Sequence, residues 1–416
     1  MSYNQLTNRS FFSEKPTSRL KEVEVSNWGG GAAPYWEPDL GTEESAFAAT
    51  ADRLATEVFA PAAERWDSTG EYAAENVAAL FDSGLATMFV EKRHGGRGAG
   101  VTATTAVLER IAADCASTAT ILSTLLLGAV PVAIHGTEEQ QADVFGRFVH
   151  ERCALSFALT ERGAGSDLRS ITTTAERTGD GYRINGEKWL IGNGGRAGMY
   201  TVFARLEGGG LTAFLVDADA DGVRVDHVHR KMGIRGTATT NLRFDNVEVG
   251  AGALLGAEGA GARVALSGLD LGRIAVAATA TGLGIGAFVS ASRRAAARVQ
   301  FGRPVIENQA LAFRLADVAT ELSAARLITY DAAGRADRGA DLRTAAAMAK
   351  LHATEVSHRA VDTAVQVYGG IGYTADSPVD RMYRDQRGYE LAEGTSEIQR
   401  LVISRSVMQW LGGAER

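Results

Sequence analysis

A short stretch near the C-terminus carries the residue with the clearest chemical potential, Glu393. Gly394 and Thr395 follow it, and then come apolar residues at near-helical spacing, so the pattern predicts a loop that ends in a helix N-cap. A carboxylate beside an inward-packing helix is poorly solvated, which raises its pKa toward neutrality and suits it to general-base chemistry. Taken alone, the stretch favours a plainer interpretation, an exposed acidic residue stabilised by the helix dipole.

Three other motifs change that judgement, because together with residues 393–400 they occur in the order found in a known family. They are residues 159–167, residues 298–302 with Gln309, and residues 366–373. The four motifs resemble those of the acyl-CoA dehydrogenase family, in which the glutamate of the last motif removes the α-proton of an acyl thioester. Their common order over roughly residues 45 to 412 argues against a chance match.

Composition and charge set outer limits on the function. The chain has 416 residues, 45% of them hydrophobic and 22% charged, which predicts a globular protein of roughly two to four domains. Its formal net charge is −7 and the basic residues are scattered, so no nucleic-acid partner is predicted. With no run of about eighteen apolar residues and no apolar segment near the start, we expect a cytoplasmic protein without a membrane span.

Metal binding and disulfide chemistry find little support in the sequence. Cys115 and Cys153 are the only cysteines, too few for a disulfide framework or a thiolate cluster. His227 and His229 would share one face of a strand but lack a third ligand. The sequence therefore predicts no metal.

Changes in hydrophobic period divide the chain into an irregular N-terminal arm and three folded parts. The arm covers residues 1–42, and a helical period holds over residues 43–152. Residues 153–251 form short alternating segments separated by glycine turns, which indicates an antiparallel sheet or small barrel. Residues 252–416 return to a helical period. The predicted fold is α+β multidomain: an N-terminal helical domain, a central antiparallel β-domain and a C-terminal helical bundle, as the resemblance also implies.

Two glycine-rich stretches imitate a dinucleotide-binding fingerprint, residues 282–287 and residues 370–375. That fingerprint requires a preceding strand within a βαβ unit, whereas both stretches follow helical sequence. A nicotinamide-binding domain is therefore not predicted.

The resemblance implies FAD as cofactor and assigns its contacts to positions of this chain. The residues that match flavin contacts are Phe157, Leu159, Thr160, Gly165, Leu190, Ile191 and Gly192, with Thr395 and Glu397 beside the base. Those that match pyrophosphate and adenosine contacts are Arg298, Phe301, Gln309, Gln366, Gly369 and Gly370. Arginine offers phosphate a charge-assisted fork, and paired glycines let backbone amides approach it. In the family this second set comes from a neighbouring subunit, which implies a homo-oligomer, either a dimer or a tetramer.

Substrate contacts follow from the same resemblance. Ser166, Gly394, Asp270 and Arg273 match positions that contact an acyl thioester carried by CoA or by an acyl carrier protein. The i,i+3 spacing of Asp270 and Arg273 equally suits a plain surface salt bridge. A minority of family members place the base at the position of Gly272, so Glu393 has no competitor there. Glu390 remains a rival, without the Gly-Thr context that follows Glu393.

Departures from the family pattern bear on the substrate and on the redox properties of the flavin. Ala392 replaces an aromatic residue that is common before the base, and Leu190 and Gly192 replace an aromatic and a hydroxyl residue. Only the backbone N–H of Gly192 is then left to contact flavin N5. An enlarged acyl cavity beside Ala392 predicts a preference for branched, cyclic or otherwise bulky acyl groups. The competing hypothesis is that Tyr389 or Trp189 fills this space.

The function predicted from the sequence is an FAD-dependent α,β-dehydrogenation of an acyl thioester, with Glu393 as base and flavin N5 as hydride acceptor. The reduced flavin would pass its electrons to an electron-transfer flavoprotein. A flavin oxidase or monooxygenase on the same fold is the first alternative. A non-catalytic FAD-binding member of the family is the second.

Overall fold

The structure, a computed structural model, describes residues 35–412 of the chain. Most of the predicted N-terminal arm lies outside these residues. Its last part packs on the body: the rings of Tyr35 and Phe288 are 6.1 Å apart, and those of Trp36 and Tyr330 are 5.8 Å apart. The backbone of Trp36 also accepts a hydrogen bond from Arg326. The end of the arm is thereby fixed just before the first helix begins.

The N-terminal part of the fold is helical, as predicted. Its helices are α1 (Thr42–Leu54), α2 (Ala60–Thr69), α3 (Ala74–Asp82), α4 (Val101–Asp114), α5 (Ala116–His135) and α6 (Glu138–His150). Helix α6 begins with a capping box in which Thr137 and Gln140 exchange hydrogen bonds between side chain and backbone. Helix α5 is buried along most of its length, which explains why its sequence is apolar nearly all round.

The central part is a β-domain. Its strands are β1 (Leu155–Ala158), β2 (Thr174–Arg177), β3 (Gly181–Gly192), β4 (Met199–Leu206), β5 (Gly210–Asp217), β6 (Val223–Val228), β7 (Thr239–Gly250) and β8 (Leu254–Leu255). They form one sheet in the order β6-β7-β3-β2-β4-β5-β8, with β1 beside β4. Most neighbours are antiparallel, as the glycine turns predict, but β1 and β2 both run parallel to β4. The sheet is therefore mixed, because long connections rather than tight turns lead from β1 and β2 to β4.

The C-terminal part is a helical bundle. It comprises α7 (Gly261–Ala297), a hairpin of β9 (Val299–Gln300) and β10 (Arg303–Pro304), α8 (Gln309–Asp337), α9 (Arg343–Tyr368), α10 (Pro378–Leu391) and α11 (Ser396–Gly412). Helix α7 packs against α4, α5, α8 and α9. Gly282 and Gly286 make this possible, because a Cβ at either would collide with the backbone of α4 at Glu109 or Ala113. In residues 282–287, the first stretch that imitates a dinucleotide fingerprint, these glycines serve helix packing.

Two helices among the described residues, α5 and α7, are long and apolar enough to cross a membrane by composition alone. Of the most apolar window of each helix, 67% and 83% is buried inside the fold. Packing in the protein interior accounts for this apolar composition.

The three parts of the fold meet where α5, β1 and α7 share an apolar cluster. Leu127 of α5, Phe157 of β1 and Val264 of α7 belong to it. Close packing of these elements brings residues that are far apart in sequence to one place, and the catalytic candidates lie beside this cluster.

Candidate active site

Glu393 lies in the tight turn between α10 and α11, and its backbone is in the left-handed region. Its φ is +53°, and Gly394 follows with a φ of +90°. A left-handed conformation costs a residue with a Cβ roughly 1–2 kcal/mol. Gln399 stabilises the turn, because its side-chain amide donates to the carbonyls of Glu393 (3.2 Å) and Gly394 (2.8 Å). The turn therefore holds the Glu393 carboxylate toward Gly272 of α7.

The Glu393 carboxylate points at α7, and one of its oxygens has no hydrogen-bond partner. Oε2 is buried and unsatisfied. A Cβ built on Gly272 would lie 3.2 Å from this oxygen and 3.2 Å from Leu127 of α5. Burial raises the pKa of Glu393 to about 7, against the opposing effects of the cations Arg273 and Lys350. A carboxylate with a free lone pair and a pKa near neutrality is suited to accept a proton.

The rival carboxylate, Glu390, is in a different environment. His358 lies 2.9 Å from it, Gln386 donates to it at 3.2 Å, and Arg387 also pairs with it. Its oxygens are thus engaged by neighbours, whereas Oε2 of Glu393 is free. This contrast favours Glu393 as the proton acceptor.

Two cations lie near Glu393 without forming an ion pair with it among the described residues. Arg273 is buried and pairs instead with Asp270 at 2.5 Å. The predicted i,i+3 pair is therefore a buried one. Lys350 of α9 is fully buried, and its ammonium donates to the backbone carbonyls of Glu390 (3.1 Å) and Gly394 (2.8 Å).

One face of α5 connects the base to the β-domain through residues at positions i, i+4 and i+7. Thr120 shares a 3.0 Å hydrogen bond with the hydroxyl of Tyr389, four residues before the base. Thr124 lies beside Gly192, where an added Cβ would be 3.1 Å from its methyl group and 3.4 Å from its hydroxyl oxygen. Leu127 contacts the region of Gly272 and Glu393. This face of α5 therefore packs beside both the end of β3 and the region of the base.

The predicted flavin-contact segments converge at the same place. Ser156 of β1 donates a 2.6 Å hydrogen bond to the carbonyl of Gly192, which ties β1 to the end of β3. Phe157 is buried against Phe203, with ring centroids 4.8 Å apart. Of the remaining segment residues, Leu159 and Ile191 are buried, Thr160 is half-buried, and Gly165 and Ser166 are exposed on the following loop.

Leu190 departs from regular strand geometry. Its φ is +58°, its side chain is 46% exposed, and the pairing register of β3 with β7 shifts between Lys188 and Ile191. The adjacent Trp189 packs edge-on against His229, with centroids 5.8 Å apart. The bulge thus presents an aliphatic side chain at position 190, while the neighbouring aromatic ring is held by the β-domain.

A buried ion pair that the sequence analysis did not identify holds the loop after β1. Lys188 donates to a carboxylate oxygen of Glu161 at 2.8 Å and to the carbonyl of Leu159 at 3.1 Å. Glu161 also accepts hydrogen bonds from the backbone of Thr172 and Thr173. Burial alone would raise the pKa of Glu161, but Lys188 and these donors lower it to about 2. The loop is therefore fixed by an ionised carboxylate.

Thr395 and Glu397 lie at the start of α11. The hydroxyl of Thr395 accepts a long hydrogen bond, 3.4 Å, from the backbone N–H of Ile398, as the predicted N-cap requires. Glu397 is exposed, and a hydrogen bond with Thr395 lowers the pKa of its carboxyl. Thr395 therefore caps α11, while the side chain of Glu397 faces solvent.

A second group of predicted residues lines a separate groove of about 490 Å³ between the ends of α7 and α9. Arg298, Gln366, Gly369 and Gly370 all contribute to it. Arg294, which the sequence analysis did not single out, also lines it, and its Nε is buried without a partner. Phe301 and Gln309 are exposed outside this lining, at the tip of the β9–β10 hairpin and the start of α8 respectively.

Three candidate functional residues, Lys350, Arg294 and Thr124, were not predicted from the sequence. A lysine within the apolar run of residues 345–351 was the available signal for Lys350, since a buried lysine requires partners. Arg294 lies one helical turn before Arg298, so periodicity could have indicated a shared face. Thr124 gives no local signal, because its role depends on β3 packing against α5. No group of three or more potential metal ligands occurs within residues 35–412.

Comparison with known proteins agrees with this arrangement. Models of the acyl-CoA dehydrogenase N-terminal, middle and C-terminal domains match residues 41–152, 156–247 and 259–408. The cyclohexane-1-carbonyl-CoA dehydrogenase of Geobacter metallireducens is 40% identical over 365 residues, 86% of this chain and 96% of the relative.

Solved structures give the same result. A chain in the structure of the electron-transferring flavoprotein of Acidaminococcus fermentans has a TM-score of 0.88 and 34% identity. The butyryl-CoA dehydrogenase of Megasphaera elsdenii has a TM-score of 0.87 and 34% identity. Each covers 90% of this chain, and all of the compared chain is matched. The protein therefore belongs to the acyl-CoA dehydrogenase family of oxidoreductases, which act on CH–CH groups.

Proposed function

We propose that the protein catalyses FAD-dependent α,β-dehydrogenation of an acyl thioester with Glu393 as the catalytic base. The observation that carries this proposal is the buried, unpartnered Oε2 of Glu393 beside Gly272, with the pKa of the carboxyl raised to about 7. Such an oxygen can take the α-proton of a thioester without first breaking a hydrogen bond. Burial also keeps water away from the site, which strengthens its electrostatic interactions.

The residues present fit the FAD that members of this family bind. At the end of β3, Gly192 has no side chain and its backbone lies beside Thr124, whose hydroxyl donates to the carbonyl of Thr120 at 2.8 Å. The groove between α7 and α9 offers Arg298, the unpartnered Nε of Arg294 and the glycines 369 and 370 to a diphosphate. When bound, FAD supplies the acceptor for the hydride that leaves the β-carbon.

The chain's own residues then have separate tasks in the proposed reaction. Glu393 accepts the α-proton, and the left-handed turn holds its carboxylate against α7. The buried Arg273 provides positive charge near the base while its charge is balanced by Asp270. Ser166, Asp270, Arg273 and Gly394 are the proposed contacts of the thioester. Leu127 and Phe157 provide the apolar wall that excludes water.

We further propose a homo-oligomer, because the two predicted cofactor regions of one chain lie too far apart to share one FAD. Gly272, beside the base, and Arg294, in the groove, are 22 positions apart on α7. Along a helix this corresponds to about 33 Å, more than an extended FAD molecule spans. Phe301 at the hairpin tip is fully exposed, as an interface residue would be in an isolated chain. The groove of one subunit would therefore serve the flavin of its neighbour.

For the substrate we propose a bulky acyl group on a CoA or carrier-protein thioester. Ala392, the residue that follows α10, is exposed and carries only a methyl group where an aromatic ring is common in the family. Both candidates for filling it have partners elsewhere: Tyr389 bonds to Thr120, and Trp189 packs on His229. The name of the Geobacter relative, a cyclic acyl-CoA dehydrogenase, supports this direction. The proposed electron acceptor is an electron-transfer flavoprotein. The similarity of this protein to a chain in the structure of the Acidaminococcus fermentans flavoprotein supports that proposal.

Flavin absorbance and anaerobic bleaching test the proposed function. The purified protein should be yellow, and butyryl-, isobutyryl- and cyclohexanecarbonyl-CoA should bleach it, the cyclic substrate with the highest kcat/KM. Glu393→Gln should retain FAD and bleach at least ~10²-fold more slowly, because it lacks the proton acceptor. Glu390→Gln is the matched control and should retain most of the bleaching rate.

Other outcomes separate the alternatives. A colourless protein that cannot be reconstituted with FAD would contradict the proposal and favour a non-catalytic member of the family. Peroxide formed in stoichiometric amount with oxidised substrate would favour an oxidase. Near-normal bleaching by Glu393→Gln would move the base elsewhere in the chain.

A further inference from the structure

Lys350 is buried in an unusual position relative to the base. It lies on α9, in an apolar part of the helix, and its relative exposure is 0%. Burying an ammonium group is unfavourable unless strong hydrogen bonds replace its hydration. The two hydrogen bonds that it donates go to the carbonyls of Glu390 and Gly394, which stand on either side of Glu393.

These two carbonyls belong to different elements. The Glu390 carbonyl is one of the last of α10, where carbonyls lack partners within the helix, and the Gly394 carbonyl precedes α11. One ammonium therefore closes the turn across the left-handed residue Glu393, whose φ is +53°. Because both bonds are to backbone, the ammonium is fixed whatever the state of the carboxylate.

The same fixation keeps Lys350 from neutralising the base. Among the described residues Lys350 donates to the two carbonyls and forms no ion pair within 4.0 Å with Glu393, although each influences the other electrostatically. A direct ion pair would occupy the oxygen that must accept the proton. A cation held nearby by backbone carbonyls favours the ionised carboxylate and leaves Oε2 free.

We propose that Lys350 is the positioning residue of the catalytic base: it locks the left-handed turn and supplies a fixed positive charge beside Glu393. This inference rests on the proposed role of Glu393. The other charged groups nearby act on the two cations rather than on the base. Asp270 of α7 and Arg343 of α9 act electrostatically on Arg273. Glu390 of α10, the exposed Glu397 of α11 and Arg273 itself act on Lys350. Helix α5 faces the base with the apolar Leu127. Loss of Lys350 would leave Arg273 as the cation that acts on Glu393.

The pH dependence of catalysis gives the first test. Lys350→Met removes the charge and both hydrogen bonds while keeping similar volume, and Lys350→Arg keeps the charge. Without the cation the protonated form of Glu393 is favoured, so the acid limb of the kcat/KM profile should move upward by roughly one pH unit. Lys350→Arg should show a smaller displacement of this limb. If Lys350→Met does not fold, Lys350→Gln, which keeps an NH2 group as donor without the charge, replaces it.

A second test does not depend on activity. Burial lowers the pKa of Lys350 to about 8, so the comparison is made at pH 7.5, where most of Lys350 is charged and most of Glu393 is ionised. The fall in Tm caused by Lys350→Met is measured in the wild type and in Glu393→Gln, with matched FAD content. Coupling between the two groups predicts a smaller fall in the Glu393→Gln background, where no carboxylate is left for the cation to stabilise. Equal falls in both backgrounds together with an unmoved acid limb would overturn the proposal and leave a purely structural lysine. If the wild type oxidises no acyl thioester, the proposed function is wrong. The Tm comparison still shows whether Lys350 and Glu393 are energetically coupled.

Discussion

At the scale of single residues, Glu393 combines two demands that oppose each other. Its carboxyl must ionise to accept a proton, yet its burial makes ionisation unfavourable and raises the pKa to about 7. Between the ordinary value of 4.5 and about 7, the folded protein retains a proton that the unfolded chain has released. Folding stability from this group therefore falls as the pH rises through that range and is lowest above it.

The fall in folding stability with rising pH leads to a prediction about the Glu393→Gln variant. A neutral amide has no ionisation to oppose, so at pH 8 the variant should exceed the wild type in free energy of unfolding by up to about 3 kcal/mol. At pH 4.5 the two proteins should have similar stability, since both side chains are then largely neutral. Urea unfolding at both pH values, with matched FAD content, measures the difference. A variant less stable than the wild type at pH 8 would mean that the ionised carboxylate has stabilising partners in solution.

Single residues also show which parts of the site can be predicted from the sequence. The Glu-Gly-Thr motif marked Glu393 because the turn residues that shape the site are contiguous with the base. Lys350 lies 43 positions earlier, on another helix, and only the packing of α9 against the turn connects them. Nothing in the local sequence distinguishes it from a lysine that reaches solvent, apart from its apolar neighbours.

At the scale of elements, α5 is the helix on which the site is assembled. Its residues Thr120, Thr124 and Leu127 lie beside Tyr389 of α10, the end of β3 and Gly272, respectively. The helical period of residues 43–152 predicted a helix here. It could not predict which face met which strand, because the pairing of β1 with β4 is parallel and long-range. Helical and strand periods are local properties, whereas parallel register depends on the whole domain.

The buried pair Glu161–Lys188 holds the loop of predicted flavin contacts, and its loss should be costly. Lys188→Met leaves the buried Glu161 carboxylate with its hydroxyl and backbone donors but no cation, so we expect the free energy of unfolding to fall by about 3–5 kcal/mol. Adding Glu161→Gln should recover much of this loss, because no buried charge remains. Chemical denaturation of both variants tests the expectation. A double variant as unstable as Lys188→Met would contradict it and indicate a packing defect.

At the scale of the whole molecule, α7 separates two groups of predicted cofactor contacts. Gly272 near its start faces the base, and Arg294 near its end lines the groove. The order of domains was predictable because the hydrophobic period changes from helical to alternating and back along the chain. The relation between the two groups was not, since it depends on a helix whose 37 residues run through the whole bundle.

Because α7 keeps the base and the groove of one chain far apart, we expect two inactive variants of the protein to complement each other when they are co-expressed. If each site takes its base from one subunit and its groove from another, Glu393→Gln and Arg298→Ala impair different halves of different sites. In a mixed symmetric dimer one site then carries both defects and the other carries none. Random reassortment of equal amounts should restore about a quarter of the wild-type sites. If one chain supplied both halves, every site in the mixture would keep one defect, and co-expression of the two variants would restore nothing.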